Sequence, residues 1–418
     1  MARSIRTINI TMPNKPKEKG KKISPEIEKA VTIASHYGFS PLPETLIEKE
    51  DINHAKKFHE SHLKILHPFK EKTHRFSGYL EEKISLLRHF LTKKYIDMPQ
   101  PLTACYTGPL KGNPHIKEHT DEESFNLEII GSNKSISDAT IIETTLVILK
   151  DRYPGETFNV EINTIGDKDA SIKFAKELST FVKKESSKLN KTCKELIKKD
   201  IYNLFSCNHA TCIEIQQKAP KSLTYLSESS RSHFKEVLEY LESLDIAYSI
   251  NHSLIGSRSY CTDTIFEIYS TKKNGTTSIV AIGERYNHLA KKIWGKREIP
   301  AIGVSIYIHP HFVTKLPQKT EKKVKPKFFF IQFGFDAKLK SLALIEMLRL
   351  AKIPVEQSLS KDKLSAQLLS AEKMGIPYII IMGQKEAIEN SVVVRNLETR
   401  CQETILISEL PQYLKKLK

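Results

Sequence analysis

IVAIGERYNHLAKKIWGKREIPAIGVSIYIHPHF, residues 279–312, sets two β-rich apolar runs on either side of a short basic helix. Gly283 follows the run Ile279 to Ile282 and precedes Arg285, so a strand ends at a backbone position open enough for a polyphosphate or an adenine ring to approach. The second run, Ile299 to Ile308, suits a buried strand. It stops at His309, Pro310 and His311, where a site that handles phosphate should offer arginine. The stretch reads as the inner wall of an active site with its charge missing at one end.

Towards the N-terminus, strand signals at Tyr248 to Ile250, Thr264 to Ser270 and Ser278 to Ile282 are joined in part by Asn274 and Gly275, a hairpin turn. LTACYTGPL, ending at Gly108 and Pro109, and FNLEIIG, ending at Gly131, predict a second hairpin with a long charged tip. Asp138 is placed to cap a helix running to about Lys150, and FNVEINTIG reads as another strand. Residues 168–244 are mostly helical, with one face at Phe174, Leu178, Phe181 and Val182 and another at Phe234, Val237, Leu238, Leu241 and Leu244. They predict an inserted helical module over about 168–230. Ser24, Pro25, Glu26 and Glu28 open a helix that ends near Gly38, and Leu80, Ile84, Leu87 and Phe90 give a second amphipathic helix over 80–92. Phe58 to Phe76, between them, has no readable period. Residues 25–312 therefore predict an α+β domain on an antiparallel sheet.

Residues 1–24 are polar and basic and predict a flexible arm. Residues 313–327 are a Lys-rich, Pro-containing linker. Beyond it the pattern alternates: strand 328–333, helix 337–351, strand 354–357, helix 361–374 and strand 378–382, then two short strands at 392–395 and 404–407 and a last helix. Helices of 10 to 15 residues between short strands predict a small doubly wound α/β domain with mainly parallel pairing over 328–418.

With 418 residues and 39% hydrophobic content, the chain can build two or three real cores. The 65 Lys and Arg against 49 Asp and Glu, spread along the chain for a net charge of +16, favour nucleic acid as the partner class. No apolar run is long enough to span a membrane, and the basic first 22 residues lack the apolar core of a signal peptide, so a cytoplasmic protein without membrane contact is expected. Six irregularly spaced cysteines read as reduced thiols. Cys207, His209 and Cys212, with Cys193 upstream, lack the paired knuckles of a zinc site and read as ordinary loop residues, so no metal site is expected.

The C-terminal stretch SLSKDKLSAQLLSAEKMGIPYIIIMGQKEAIENSVVVRNLETRCQETILISEL resembles the anticodon-binding domain of histidyl-tRNA synthetases. FNLEIIGSNKSISDATIIETT resembles the end of that family's motif 2 region. VEINTIGD and SLTYLSESSRSHFKEVLEYLESLDIAYSI resemble the borders of its insertion, while GERYNHL and IPAIGV resemble its motif 3 region. The resemblance covers roughly residues 25–418 in the family's order. It implies a class II catalytic domain that dimerises on an antiparallel sheet, makes histidyl-adenylate from histidine and ATP with Mg2+, and transfers histidine to tRNA.

The chain departs from the family at all three catalytic arginines. The motif 2 arginine falls on Lys111 or Gly112, followed by the acidic HTDEES. The arginine of the histidine-specific motif becomes Gly256, with Cys261 replacing that motif's second tyrosine. Tyr307, Ile308, His309 and Pro310 replace Gly-Leu-Glu-Arg of motif 3. Arg258, two positions after Gly256, and Lys111 are the substitutes available for catalytic charge, although lysine lacks the bidentate fork of arginine. Each lost charge donor costs about two to three orders of magnitude in rate. The resemblance carries substrate-binding roles onto Glu128, Tyr260, Arg285 and Tyr286, and onto Glu81 in place of an Arg-Pro-Glu signature; Gly283 joins them from its place at the strand end. His309 and His311 read as remodelling of a lost site. The expected function is a tRNA-binding synthetase paralogue with weak or lost aminoacylation, acting through bound tRNA or by regulating a protein partner. Two alternatives stand beside it: an active divergent histidine–tRNA ligase using ATP and Mg2+, and a regulatory subunit like the paralogue that activates ATP phosphoribosyltransferase. The anticodon-binding domain counts against the last.

Overall fold

The computed structural model describes residues 25–42, 46–62, 80–92, 101–110, 123–257, 260–295, 297–308, 326–359 and 361–417. The predicted arm, most of the linker, Lys111, Arg258 and the His309-Pro310-His311 ending lie outside them. Eight strands form the large sheet: β1 Ser40–Pro41, β2 Leu102–Gly108, β3 Glu123–Ile130, β4 Thr157–Thr164, β5 Tyr248–Ile250, β6 Thr262–Thr271, β7 Thr277–Arg285 and β8 Ala301–Ile308. Their order is β1-β2-β3-β8-β7-β6-β4-β5. The edge pairs β1–β2 and β4–β5 run parallel, and the other described pairs run antiparallel. Both predicted hairpins are present, β2–β3 and β6–β7. Gly275, at φ 79°, supplies the left-handed conformation that the second turn needs.

Side chains alternate across a strand, so each face of this sheet meets a different set of helices. On one face Leu127, Val304, Ala281 and Phe266 share a core with helix α1 (Pro25–His36), helix α4 (Ser135–Arg152) and helix α8 (Glu228–Ser243). On the other, Ala104, Tyr106 and Ile265 pack with helix α3 (Leu80–Leu91). Helix α2 (Lys49–His62) was not legible, because Ile52, Ala55 and Phe58 are widely set among charged residues. Asp138 does not cap α4 as expected. The helix begins at Ser135 with Lys134 at its N-cap, leaving Asp138 one turn inside.

The inserted module contains helices α5 (Lys168–Glu185), α6 (Lys191–Lys199) and α7 (Ala210–Lys218) around a core of its own, where Phe174 stacks on Tyr202 at 5.7 Å. Between β7 and β8 lies the predicted short basic helix, α9 (Leu289–Trp294). Among the described residues no helix is long and apolar enough to cross a membrane.

The C-terminal unit holds β9 Phe328–Gln332, α10 Phe335–Leu350, β10 Val355–Gln357, α11 Leu364–Lys373, β11 Tyr378–Met382, α12 Gln384–Ile388, β12 Ser391–Asn396, β13 Gln402–Leu406 and α13 Leu410–Lys416; all but the short α12 match the predicted order. In the order β10-β9-β11-β12-β13 the first two pairings are parallel and the last two antiparallel. Pairing is thus half parallel and not mainly so: it is parallel among β10, β9 and β11, which are joined through the long helices α10 and α11, and antiparallel where the links are the five-residue α12 and the short turn between β12 and β13. This unit packs on the first: Phe330, Leu344, Ile345 and Leu348 belong to the core that holds Ile136, Ile141 and Tyr240. Tyr37 Oη donates to Glu346 at 2.6 Å, and the Tyr240 and Phe335 rings meet edge to face at 6.1 Å.

Candidate active site

Strand register builds the floor of the site. Gly303 on β8 pairs with Glu128 on β3 to one side and with Glu284 on β7 to the other, so both carboxylates rise from one cross-strand row on the same face. A β-carbon on Gly303 would overlap the Glu128 carboxylate; glycine leaves the space in which that group lies. The next row on this face carries Tyr106, Asn126 and Ser305, with Ser305 Oγ donating to Asn126 Oδ1 at 2.6 Å.

Helix α3 closes over this floor and lowers a cation into it. Lys83, 2% exposed, sets its ammonium 3.6 Å from Glu284, 4.0 Å from Glu128 and 4.4 Å from the centre of the Tyr286 ring. Tyr286 Oη donates to Glu128 Oε2 at 2.6 Å, and Cys261 Sγ donates to Glu284 Oε2 at 3.1 Å. Burial beside Glu284 and Glu82 respectively raises the Tyr260 and Tyr106 hydroxyl pKa values, and Glu82 Oε1 accepts from the Leu110 amide at 2.7 Å. Burial pushes the Glu128 carboxyl up. Lys83 and the Tyr286 hydroxyl pull it down, Glu284 pushes it up again, and the result is about 7. An acidic floor of this kind can hold a small buried cation. Lys83 already provides one.

The opposite face explains Arg285. Its side chain is fully buried. It donates through Nε to Asp138 Oδ1 at 3.1 Å and through Nη2 to Asp138 Oδ2, and through Nη1 to Ser132 O at 2.9 Å and Nη2 to Lys134 O at 3.1 Å. His233 Nε2 lies 3.3 Å from the same carboxylate. Burial alone would raise the Asp138 pKa, but the Arg285 and His233 charges outweigh it and hold the carboxyl well below the usual range. This guanidinium fastens the end of β7 to the first turn of α4.

Of the residues predicted for the site, Glu128, Tyr260 and Tyr286 come together under α3, and Glu81 lies on α3 itself, all buried. Gly283 and Arg285 fall on the face packed against α4, one position out of phase with Glu284 and Tyr286. The room above Gly283 is taken by the Phe266 ring, into which a β-carbon there would run. A β-carbon on Gly256 would sit 2.8 Å from Cys261 Sγ and from Ile265 Cδ1, so the chain has closed over this position as well. Sequence reasoning missed Lys83, Glu284, Tyr106 and Glu82. Glu284 was in view between two named residues, and strand alternation applied to Tyr286 would have found it.

An anticodon binding domain family matches residues 329–417. The chain is 30% identical over 384 residues to the histidine–tRNA ligase of Fervidobacterium nodosum, covering 89% of each. It is also 30% identical over 345 residues to that of Halothermothrix orenii, covering 81% of each. The structure of apo Staphylococcus aureus histidyl-tRNA synthetase aligns with a TM-score of 0.49 and 20% identity, over 97% of this chain and all of that one.

Proposed function

The chain belongs to the histidine–tRNA ligase family, and from that premise we propose that it binds tRNA while aminoacylation is weak or lost. The observation that carries this reading is Lys83, whose ammonium occupies the buried acidic floor where the family resemblance locates the amino-acid pocket. A substrate would have to displace a cation that is already paired and desolvated, a cost that an open pocket does not impose. The closed position at Gly256 and the commitment of Arg285 to Asp138 support the same conclusion, because neither offers a guanidinium to a phosphate. RNA binding is supported by the anticodon-binding domain match and the net charge of +16. Anticodon bases would be read by the C-terminal unit as single-stranded RNA.

The 30% identity to ligases over 89% of the chain favours a second reading, an active ligase with Lys111 and Arg258 as catalytic cations and Mg2+-bound ATP as cosubstrate. Histidine-dependent exchange of pyrophosphate into ATP decides between them. Exchange abolished by Arg258→Ala overturns the first reading. Absent exchange, together with tRNA binding that weakens steeply with salt, supports it; absent tRNA binding removes it.

A further inference from the structure

The inserted module holds three cysteines that nothing in the synthetase chemistry uses. Cys193 lies on α6, Cys207 follows the 3-10 turn Ile201–Leu204, and Cys212 lies in the first turn of α7. They are 1%, 3% and 1% exposed. Cys193 and Cys212 are thus helix residues in a core rather than loop residues. All three sulfurs lie within 4.8 Å of one another, and Cys193 Sγ is 3.5 Å from Cys207 Sγ. We propose that Cys193, Cys207 and Cys212 form a binding site for one thiophilic divalent metal ion of the zinc class, which staples the inserted module.

Zinc–thiolate bonds of about 2.3 Å in tetrahedral geometry put sulfurs about 3.8 Å apart, within the spread observed here. Three separate restraints hold the cluster in place. The Asn190 side chain accepts from the Cys193 amide at 2.8 Å, and Gln216 Nε2 donates to Leu204 O at 2.7 Å and Cys207 O at 2.8 Å. Cysteine is also a common small core residue, and a lone buried thiol would signify only packing. Here three of the six cysteines, from three successive short elements, converge on one point. They do so in a module whose longest helix after α5 has nine residues and whose core is separate from that of the sheet. A module this small gains most from a staple. Binding breaks three S–H bonds, forms three metal–sulfur bonds and releases three protons to solvent. The three sulfurs leave one position of the tetrahedron for water.

The test is titration of the reduced, metal-stripped full-length chain with Co2+. A thiolate-to-cobalt charge-transfer band that saturates at one equivalent and is displaced by Zn2+ is expected. Cobalt affinity should fall at least about 100-fold in Cys193→Ser and in Cys207→Ser and stay unchanged in Cys401→Ser, which alters an exposed thiol. No band at one equivalent, or a band indifferent to both core substitutions, overturns the proposal. Should the core variants fail to fold, a mercurial titration of the zinc-loaded wild-type chain decides. Release of one zinc as three thiols are blocked supports the site, and release with none or one blocked overturns it.

Discussion

Lys83 and Glu284 form an ion pair at 3.6 Å with both side chains almost fully buried, and the same ammonium also serves Glu128 at 4.0 Å. One cation therefore balances two carboxylates in the row that flanks Gly303. Lys83→Met should cost about 3–5 kcal/mol, the range for removing one partner of a buried pair. The loss should be smaller at pH 5 than at pH 8, because protonating Glu128 relieves the uncompensated charge. Urea denaturation at the two pH values measures both. Equal losses would mean that packing of the lysine stem, not its charge, is what the site needs.

Arg285→Lys keeps the charge but not the fork that reaches Asp138, Ser132 and Lys134 together. A loss of about 2–4 kcal/mol is expected at neutral pH. Asp138 has a depressed folded pKa, so its stabilisation is present above its unfolded value of 3.8 and disappears as pH falls below that value. The variant should thus be destabilised near pH 7 and converge on the wild type in acid. Thermal melts from pH 7 down past pH 3.8 towards the depressed folded pKa would show the difference hold above 3.8 and begin to close below it.

Glu143, at the contact of α1, α4 and α10, behaves in the opposite sense. Burial and the neighbouring Glu346 raise its carboxyl from 4.5 to about 7, against the opposing pull of Lys150, Tyr37 and Arg349. Between those values the folded chain binds more protons than the unfolded one, so this group's contribution to stability falls as pH rises from about 4.5 to about 7. Glu143→Gln should flatten that decline and leave the variant more stable than the wild type at pH 7.5, by on the order of 1–2 kcal/mol. Parallel pH profiles for the two chains would count against the assignment.

Gly283 makes room for Phe266, its cross-strand partner. Gly283→Ala should destabilise by about 1–3 kcal/mol through overpacking. Trimming the ring with Phe266→Leu in the same chain should recover part of that loss. A double-mutant cycle by chemical denaturation gives the coupling, and additive effects would show that the two groups do not compete for one space.

The order of elements was legible because the pattern changes sharply along the chain, from alternating runs with Asn274-Gly275 turns to helices of 10 to 15 residues between short strands. The site was legible only in part. Glu128, Tyr260 and Tyr286 follow from the resemblance and from strand position, and they do meet. Arg285 and Gly283 are neighbours of Tyr286 in sequence, yet a period of two sends them through the sheet to the other face. Lys83 falls inside the apolar stripe of its helix, three positions after Leu80 and four before Leu87, so its spacing points inward, but nothing in the sequence says which carboxylates it would meet. Only the docking of α3 over β3 and β7 buries it. The three cysteines are separated by 14 and 5 positions, and no periodicity foretells that a 3-10 turn will bring them to one point.

The core shared by the two units also sets a distance. Because Phe330, Ile345 and Leu348 are packed in one apolar body with Ile136 and Tyr240, the span from the C-terminal unit to the Lys83 pocket is fixed by side-chain contact and not by the length of the connecting segment. An RNA that touches both units would meet a calliper with set jaws. It would be accepted or refused on the interval between two of its own features, independently of whether any bond is made at the far jaw.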